Sequence, residues 1–283
     1  MKALLIFVLL CPAIVNAAIV NESLYILKDS IVVSSGEKLP YLTFNASTSF
    51  TGTNARIVLS PGDVLDLWVH NMDASEHHFE IRGTTPSESI LSGDSIHIIH
   101  TFLENGIHVF HDPLNYPNQA SLGLGGMIVV RDHSYPSFYW NIKEHKRGQN
   151  DTVLLGGAVD WAHYSPDFFT INGKSNPYIN QDSNARVTGT VGDEIYIYVT
   201  NTGQSIHPLH FHGYHVEVRA STRNPNHVGR MKDSQGIYPA EGVVLRLIPD
   251  KEGEYPVHDH NLVTTTGANV YPLGLFTTIL IAP

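Results

Sequence analysis

The histidines of the C-terminal half are the side chains best placed to do chemistry. His207-Pro208-Leu209-His210-Phe211-His212-Gly213-Tyr214-His215 sets imidazoles two residues apart, and His258-Asp259-His260 repeats that spacing downstream. On a β-strand, residues two apart face the same way, so each His-x-His presents two rings on one side. Two such strands laid together would offer four neutral nitrogen ligands. That donor set suits copper or zinc, and without a thiolate the affinity order favours Cu(II) wherever copper is available. Exposed histidines with no ligand are the plain alternative, and a second His-x-His in the same region weighs against it.

The elements that must position these rings read as strands. Ala55 to Leu59, Val64 to Val69, Glu194 to Val199, Val243 to Ile248 and Phe276 to Ile281 are alternating or β-branched runs punctuated by Gly, Pro, Asn and Asp. No helical period competes with them, so the chain reads as all-β, built of sandwiches or barrels. An internal repeat sharpens this. Pro61 to Gly83 aligns without gaps on Val191 to Gly213 at a constant offset of 130, pairing Gly62/Gly192, Asp63/Asp193, Asn71/Asn201, His77/His207 and Gly83/Gly213. Gly106 to Asp112 likewise mirrors Gly253 to Asp259, ending on His111-Asp112 and His258-Asp259. The expected organisation is a first domain over 18–132, a connector over 133–150 and a second domain over 151–283.

His207-Pro208-Leu209-His210-Phe211-His212-Gly213 resembles the His-Pro-x-His-x-His-Gly signature of the multicopper oxidases and two-domain copper nitrite reductases, members of the cupredoxin superfamily. Val257-His258-Asp259-His260-Asn261-Leu262 resembles their His-Cys-His segment, with Asp where the cysteine belongs. The resemblance implies two tandem cupredoxin-like Greek-key β-sandwiches with copper as cofactor, zinc being the other metal considered. Position by position, His210 matches a type 2 copper ligand, and His212, His258 and His260 match type 3 ligands. His207 matches a ligand of the blue, type 1 copper. The same likeness implies a homotrimer in which His111 of one subunit completes a metal site on its neighbour.

The departures are as informative as the matches. Both positions for the type 1 cysteine are aspartates, Asp112 and Asp259, so blue copper is expected in neither half. The first half has lost ligands as well: Glu80 stands opposite His210, Arg82 opposite His212 and Pro113 opposite His260. The five remaining histidines (His111, His210, His212, His258 and His260) suit one or two metal ions. Glu80 and Arg82 are expected to pair and plug the vacated site. His77 with Asp112, and His207 with Asp259, should lie close together. Each pair reads as a hydrogen bond replacing a metal bridge, a carboxylate orienting a metal-bound imidazole, or a zinc site.

Composition narrows the rest. The chain has 283 residues, 17 Lys+Arg against 27 Asp+Glu, 17 His and one Cys, for a formal charge of −10. That acidic balance argues against a nucleic-acid partner, whose phosphates are met by Lys and Arg. Met1-Lys2, an apolar run over Ala3 to Val15 and small residues before Ala17 read as a secretory signal peptide over 1–17, placing the protein outside the cell or in a periplasm. Its removal would take Cys11 with it. No later segment reaches the ~20 apolar residues of a membrane span. Sequons at Asn21, Asn45 and Asn150 fit secretion by a eukaryotic cell. His97, His100 and His108 read as packing or edge residues, and Arg219, Arg223, Arg230 and Lys232 as a solvated basic stretch able to attract a small anion. Two functions compete on these observations: a copper-dependent oxidoreductase, and a non-catalytic module that sequesters or delivers copper or zinc. A degenerate scaffold kept for interaction alone is the third.

Overall fold

A computed structural model describes residues 17–283. Most of the signal-peptide reading, including Cys11, therefore lies outside the described residues.

The first domain contains β1 (Ile19–Val32), β2 (Lys38–Asn45), β3 (Arg56–Leu59), β4 (Val64–Asn71), β5 (His77–Ile81), β6 (Glu88–Ile90), β7 (Ser95–Thr101), β8 (Gly106–His111) and β9 (Gly125–Val130). They form two sheets, β2-β1-β4-β7 and β3-β9-β8-β5-β6. The second domain contains β10 (Ser137–His145), β11 (Phe168–Ile171), β12 (Thr188–Thr190), β13 (Ile195–Asn201), β14 (His207–Phe211), β15 (Val216–Ser221), β16 (Met231–Lys232), β17 (Ser234–Ile237), β18 (Gly242–Leu247), β19 (Gly253–Asp259) and β20 (Phe276–Ala282). Its sheets run β11-β10-β13-β18-β15-β16 and β12-β20-β19-β14-β17. In each domain the inward residues of both sheets share one apolar core: Leu67, Val69, Phe79 and Phe110 in the first, Ile197, Val199, Leu209 and Val257 in the second.

The repeat is structural as well as sequential. Asn71 donates its side-chain amide to the carbonyls of Ser75 and Ile90, and Asn201 does the same to Ser205 and Ile237. Gly62 and Gly192 hold φ of 91° and 88° before Asp63 and Asp193, whose carboxylates cap Ser60 and Thr190 amides. Positive φ at these turns is what fixes glycine there.

The expected connector is not a linker. Ser137–His145 is a strand buried along almost its whole length, pairing parallel with β13 and antiparallel with β11. Its Lys143-Glu144-His145 run disguises it, since charged residues rarely fill a buried strand unless paired. The sequons at Asn45 and Asn150 do not present glycosylation sites either. Those asparagines are 3% and 2% exposed, and their amides donate to Thr51, Thr53 and Pro40 carbonyls. Among the described residues no helix is long and apolar enough to cross a membrane.

Candidate metal centre

Strands β14 and β19 run antiparallel with His210 directly opposite His258. The pairing continues beyond the strand ends through His212 N–H to the Pro256 carbonyl and His260 N–H to the Pro208 carbonyl. Because the side-chain period is two, that register brings all four rings to one face while Leu209, Phe211 and Val257 enter the core. Ring centroids lie 4.7 Å apart for His210–His212, 5.1 Å for His212–His258, 5.4 Å for His210–His260 and 6.5 Å for His258–His260. His210 and His258 are half-buried; His212 and His260 are exposed.

Hydrogen bonds set which nitrogen each ring offers. His258 Nδ1–H donates to the Asp259 carbonyl at 2.8 Å, so its lone pair is on Nε2. His210 Nδ1 is held by the Ser234 hydroxyl at 2.8 Å and the Asp233 carbonyl at 3.2 Å, which frees Nε2. Fixing Nδ1 on an oxygen while Nε2 stays open is the usual way a metal-binding imidazole is oriented. His212 Nε2 meets His258 Nε2 at 3.0 Å. Two ligands each ~2.0 Å from one ion come about this close, so an ion could take the place of the proton they share. Burial and the neighbouring histidines lower the pKa of His212, which favours its neutral, ligating form. As a donor set the four rings fit copper. As arranged, two nitrogens converge, and among the described residues no group of three His, Cys, Asp or Glu holds a common point.

The other expected ligands lie elsewhere. His111, at the end of β8, is buried beside Glu80, with 4.0 Å between its Nε2 and the carboxylate. Burial, then the Arg82 and Lys143 charges, lowers its pKa to about 4, so it too is neutral. Among the described residues its ring contact is with Tyr116, and none joins it to the four. The expected Glu80–Arg82 plug does not form among the described ion pairs: Glu80 turns to His111, and Arg82 lines a cleft with Arg223. His207, expected as a ligand, has both nitrogens engaged. Nδ1 bonds Asp259 at 2.7 Å and Nε2 bonds Glu144 at 3.1 Å, all three groups fully buried. Burial pulls its pKa down, but the two carboxylates outweigh it and raise it to about 9. The ring is an imidazolium clasped between two acids, with no lone pair for an ion.

The first domain repeats the clasp. His77 Nδ1 bonds Asp112 at 2.8 Å and Nε2 bonds Asp73 at 3.2 Å. The hydrogen bond to His77 holds the Asp73 carboxylate down at about 2. The sequence signalled the His–Asp half of each clasp and missed Asp73 and Glu144. Asp73 lies four residues before His77 but aligns with Gly203, so the repeat conceals it. Glu144 lay in the supposed connector. Ser234, which anchors His210, carries no signal readable without the β14–β17 pairing.

Residues 157–269 match the family model described as multicopper oxidase. In overall structure the chain is similar to the multicopper oxidase mgLAC, at 20% identity and a TM-score of 0.79, over 93% of this chain and 87% of that one. It is also similar to the blue copper oxidase of Nitrosomonas europaea, at 21% identity and 0.76, over 92% and 85%. The copper nitrite reductase of the same organism matches at 18% and 0.72, over 93% and 94%. The chain has a two-domain cupredoxin-like fold. No curated protein matches it by sequence. In both domains of this fold an aspartate, Asp112 or Asp259, bonds Nδ1 of the clasped histidine.

Proposed function

We propose that this chain is a secreted copper protein of multicopper-oxidase type, working without blue copper through a histidine-only site made by His210, His212, His258 and His260. The observation that carries the reading is the 3.0 Å approach of His212 and His258 Nε2, with the Nδ1 atoms of His258 and the adjacent His210 tied to oxygens. Copper bound there would supply one-electron chemistry and an open position for an oxygen species or a small anion. The chain's part is to hold neutral imidazoles on a rigid two-strand ladder and to keep His258 and His210 in the tautomer that offers Nε2. His111 belongs to the same site only if a second subunit brings it there. Leu262 and Val263, 66% and 61% exposed just after His260, give that neighbour an apolar rim to cover.

A second reading rests on the clasps. With a histidine clasped by two carboxylates at both positions that would match blue copper, no thiolate among the described residues passes electrons to the histidine cluster, which favours binding and delivery of copper over turnover. Copper loading separates the readings. We expect one to two coppers per chain with an electron paramagnetic resonance signal and no intense blue band, and loss of that copper in His210→Ala/His258→Ala. Oxidation of a phenol or ascorbate, or reduction of nitrite, by the loaded protein supports the oxidoreductase. Binding without turnover supports delivery, and unchanged copper content in the double variant overturns both.

A further inference from the structure

The two domains meet along an apolar seam in which Ile107, Met127 and Val129 of the first pack on Tyr139, Tyr196, Tyr198 and Val244 of the second. At one end of this seam a cavity of about 230 Å³ opens under the 131–136 segment, lined by Arg131, His133, Tyr135, Tyr196, Tyr198 and Arg219 among others. None of these is a candidate metal ligand. We propose that this cavity binds a small planar aromatic monocarboxylate.

Shape comes first. One wall is a ladder of rings: Tyr135 lies at 14° to Tyr196 with centroids 5.9 Å apart, His133 stacks on Tyr196 at 4.1 Å, and Tyr196 and Tyr198 follow at 6.3 Å. Near-parallel faces at these spacings suit another flat ring. The volume exceeds the ~150 Å³ that admits benzene into a protein interior.

Charge supplies the second half of the argument. Arg131 is anchored through Nη1 alone, to the His133 carbonyl at 2.8 Å and the Ser137 hydroxyl at 3.4 Å. Its Nε–H is buried and has no partner. A guanidinium fixed through Nη1 keeps Nη2, which has no hydrogen bond, for an incoming carboxylate. His133 is similar: Nε2 meets the Tyr198 hydroxyl at 3.1 Å, and Nδ1 is buried without a partner. Buried polar atoms left unpaired are rare in folded proteins, and here two of them belong to neighbouring side chains around one cavity. Arg219 is tied to Glu217 at 2.9 Å, and Asp132, exposed, is also one of the lining residues. Arg131 is in none of the described ion pairs and Asp132 adds a negative charge beside it, which matches at most a single carboxylate and disfavours a dianion.

Calorimetric titration of the full chain with sodium benzoate tests this, with acetate and benzyl alcohol as probes lacking the ring or the charge. Benzoate should saturate at one per chain, and each control should bind at least about tenfold more weakly. Arg131→Gln should weaken benzoate by a similar factor. Tyr135→Ala, at an exposed position that leaves the core intact, should weaken it severalfold, so the proposal stays testable if Arg131→Gln does not fold. The His210→Ala/His258→Ala variant should bind benzoate as tightly as the parent, which separates this cavity from a carboxylate landing on copper. Absence of saturable binding, acetate binding as well as benzoate, or loss of binding in the histidine variant overturns the proposal.

Discussion

The two domains solve one problem with different parts. Each holds a buried histidine, His77 or His207, between two carboxylates that raise its pKa. In the first domain the second acid is Asp73, from the β4–β5 turn four residues before His77. In the second domain that turn has Gly203, and Glu144 of β10 enters instead. A Cβ on Gly203 would lie 1.8 Å from Glu144 Oε2, so the glycine is the space the carboxylate occupies. Strand register places Glu144 opposite the first domain's exposed Lys28, since Ile26 and Ile142 pair with the equivalent Asn71 and Asn201. Position in the repeat was not preserved; a negative charge at the second ring nitrogen was. The reason is electrostatic: a buried imidazolium is tolerable only when its charge and both N–H groups are met.

The clasps also differ in setting. His207, Asp259 and Glu144 are sealed, whereas His77 and Asp73 line a cavity of about 290 Å³ with Ser75, Asn115, Asn118 and Gln119. Water reaching that cavity can replace a lost carboxylate in the first domain and cannot in the second. Glu144→Ala should therefore lower the unfolding free energy by ~3–5 kcal/mol, the range for breaking a buried ion pair. Asp73→Ala should cost ~1–3 kcal/mol, the range for one unmet polar group. Equal losses by urea denaturation would mean that the cavity makes no difference.

The pH dependence comes next in size. The His207 pKa is raised to about 9 from an unfolded value near ~6.5. A group raised on folding stabilises fully below its unfolded pKa, and that stabilisation fades as pH climbs through the folded one. Thermal midpoints should fall between pH ~6.5 and ~9, with His77 contributing in the same direction because its two carboxylates outweigh burial. The slope should flatten in His207→Gln more than in His77→Gln. A slope unaffected by His207→Gln would place the titrating group elsewhere.

Gly203→Ala should cost roughly 1–3 kcal/mol by overpacking, because Glu144 is pinned by His207 and by the Gln204 and Ser205 amides and cannot swing away. A neutral result in the same denaturation assay would show that the carboxylate has room to move. The smallest effect is expected at His78. It adjoins His77 but bonds only Glu76, Ser87 and, through its amide, Asp112. His78→Ala should stay within about 0.5 kcal/mol, confirming that the strand's inward face alone carries the clasp.

Much of this was legible in the residues. Alternation and the offset of 130 gave two β units, and the His-x-His pairs gave four rings on one face, because side-chain direction along a strand has a strict period of two. The His–Asp halves of both clasps were legible through the family resemblance, which sets Asp112 and Asp259 beside His77 and His207. What failed was local reading of polar segments. Lys143-Glu144-His145 reads as solvent-facing until its partners are known, and Glu80-x-Arg82 reads as a pair although β5 register sets Glu80 against His111.

The sequence by itself therefore determined the fold class, the duplication and the four histidines that share a face. Tertiary structure alone decided that His207 is an imidazolium rather than a ligand, that Glu144 completes its clasp across 63 residues, and that Arg131 and His133 meet a tyrosine ladder at the domain seam. The division follows the range of the forces. Strand periodicity and turn chemistry act between near neighbours, whereas the protonation and pairing of a buried group depend on whichever distant strand is folded against it.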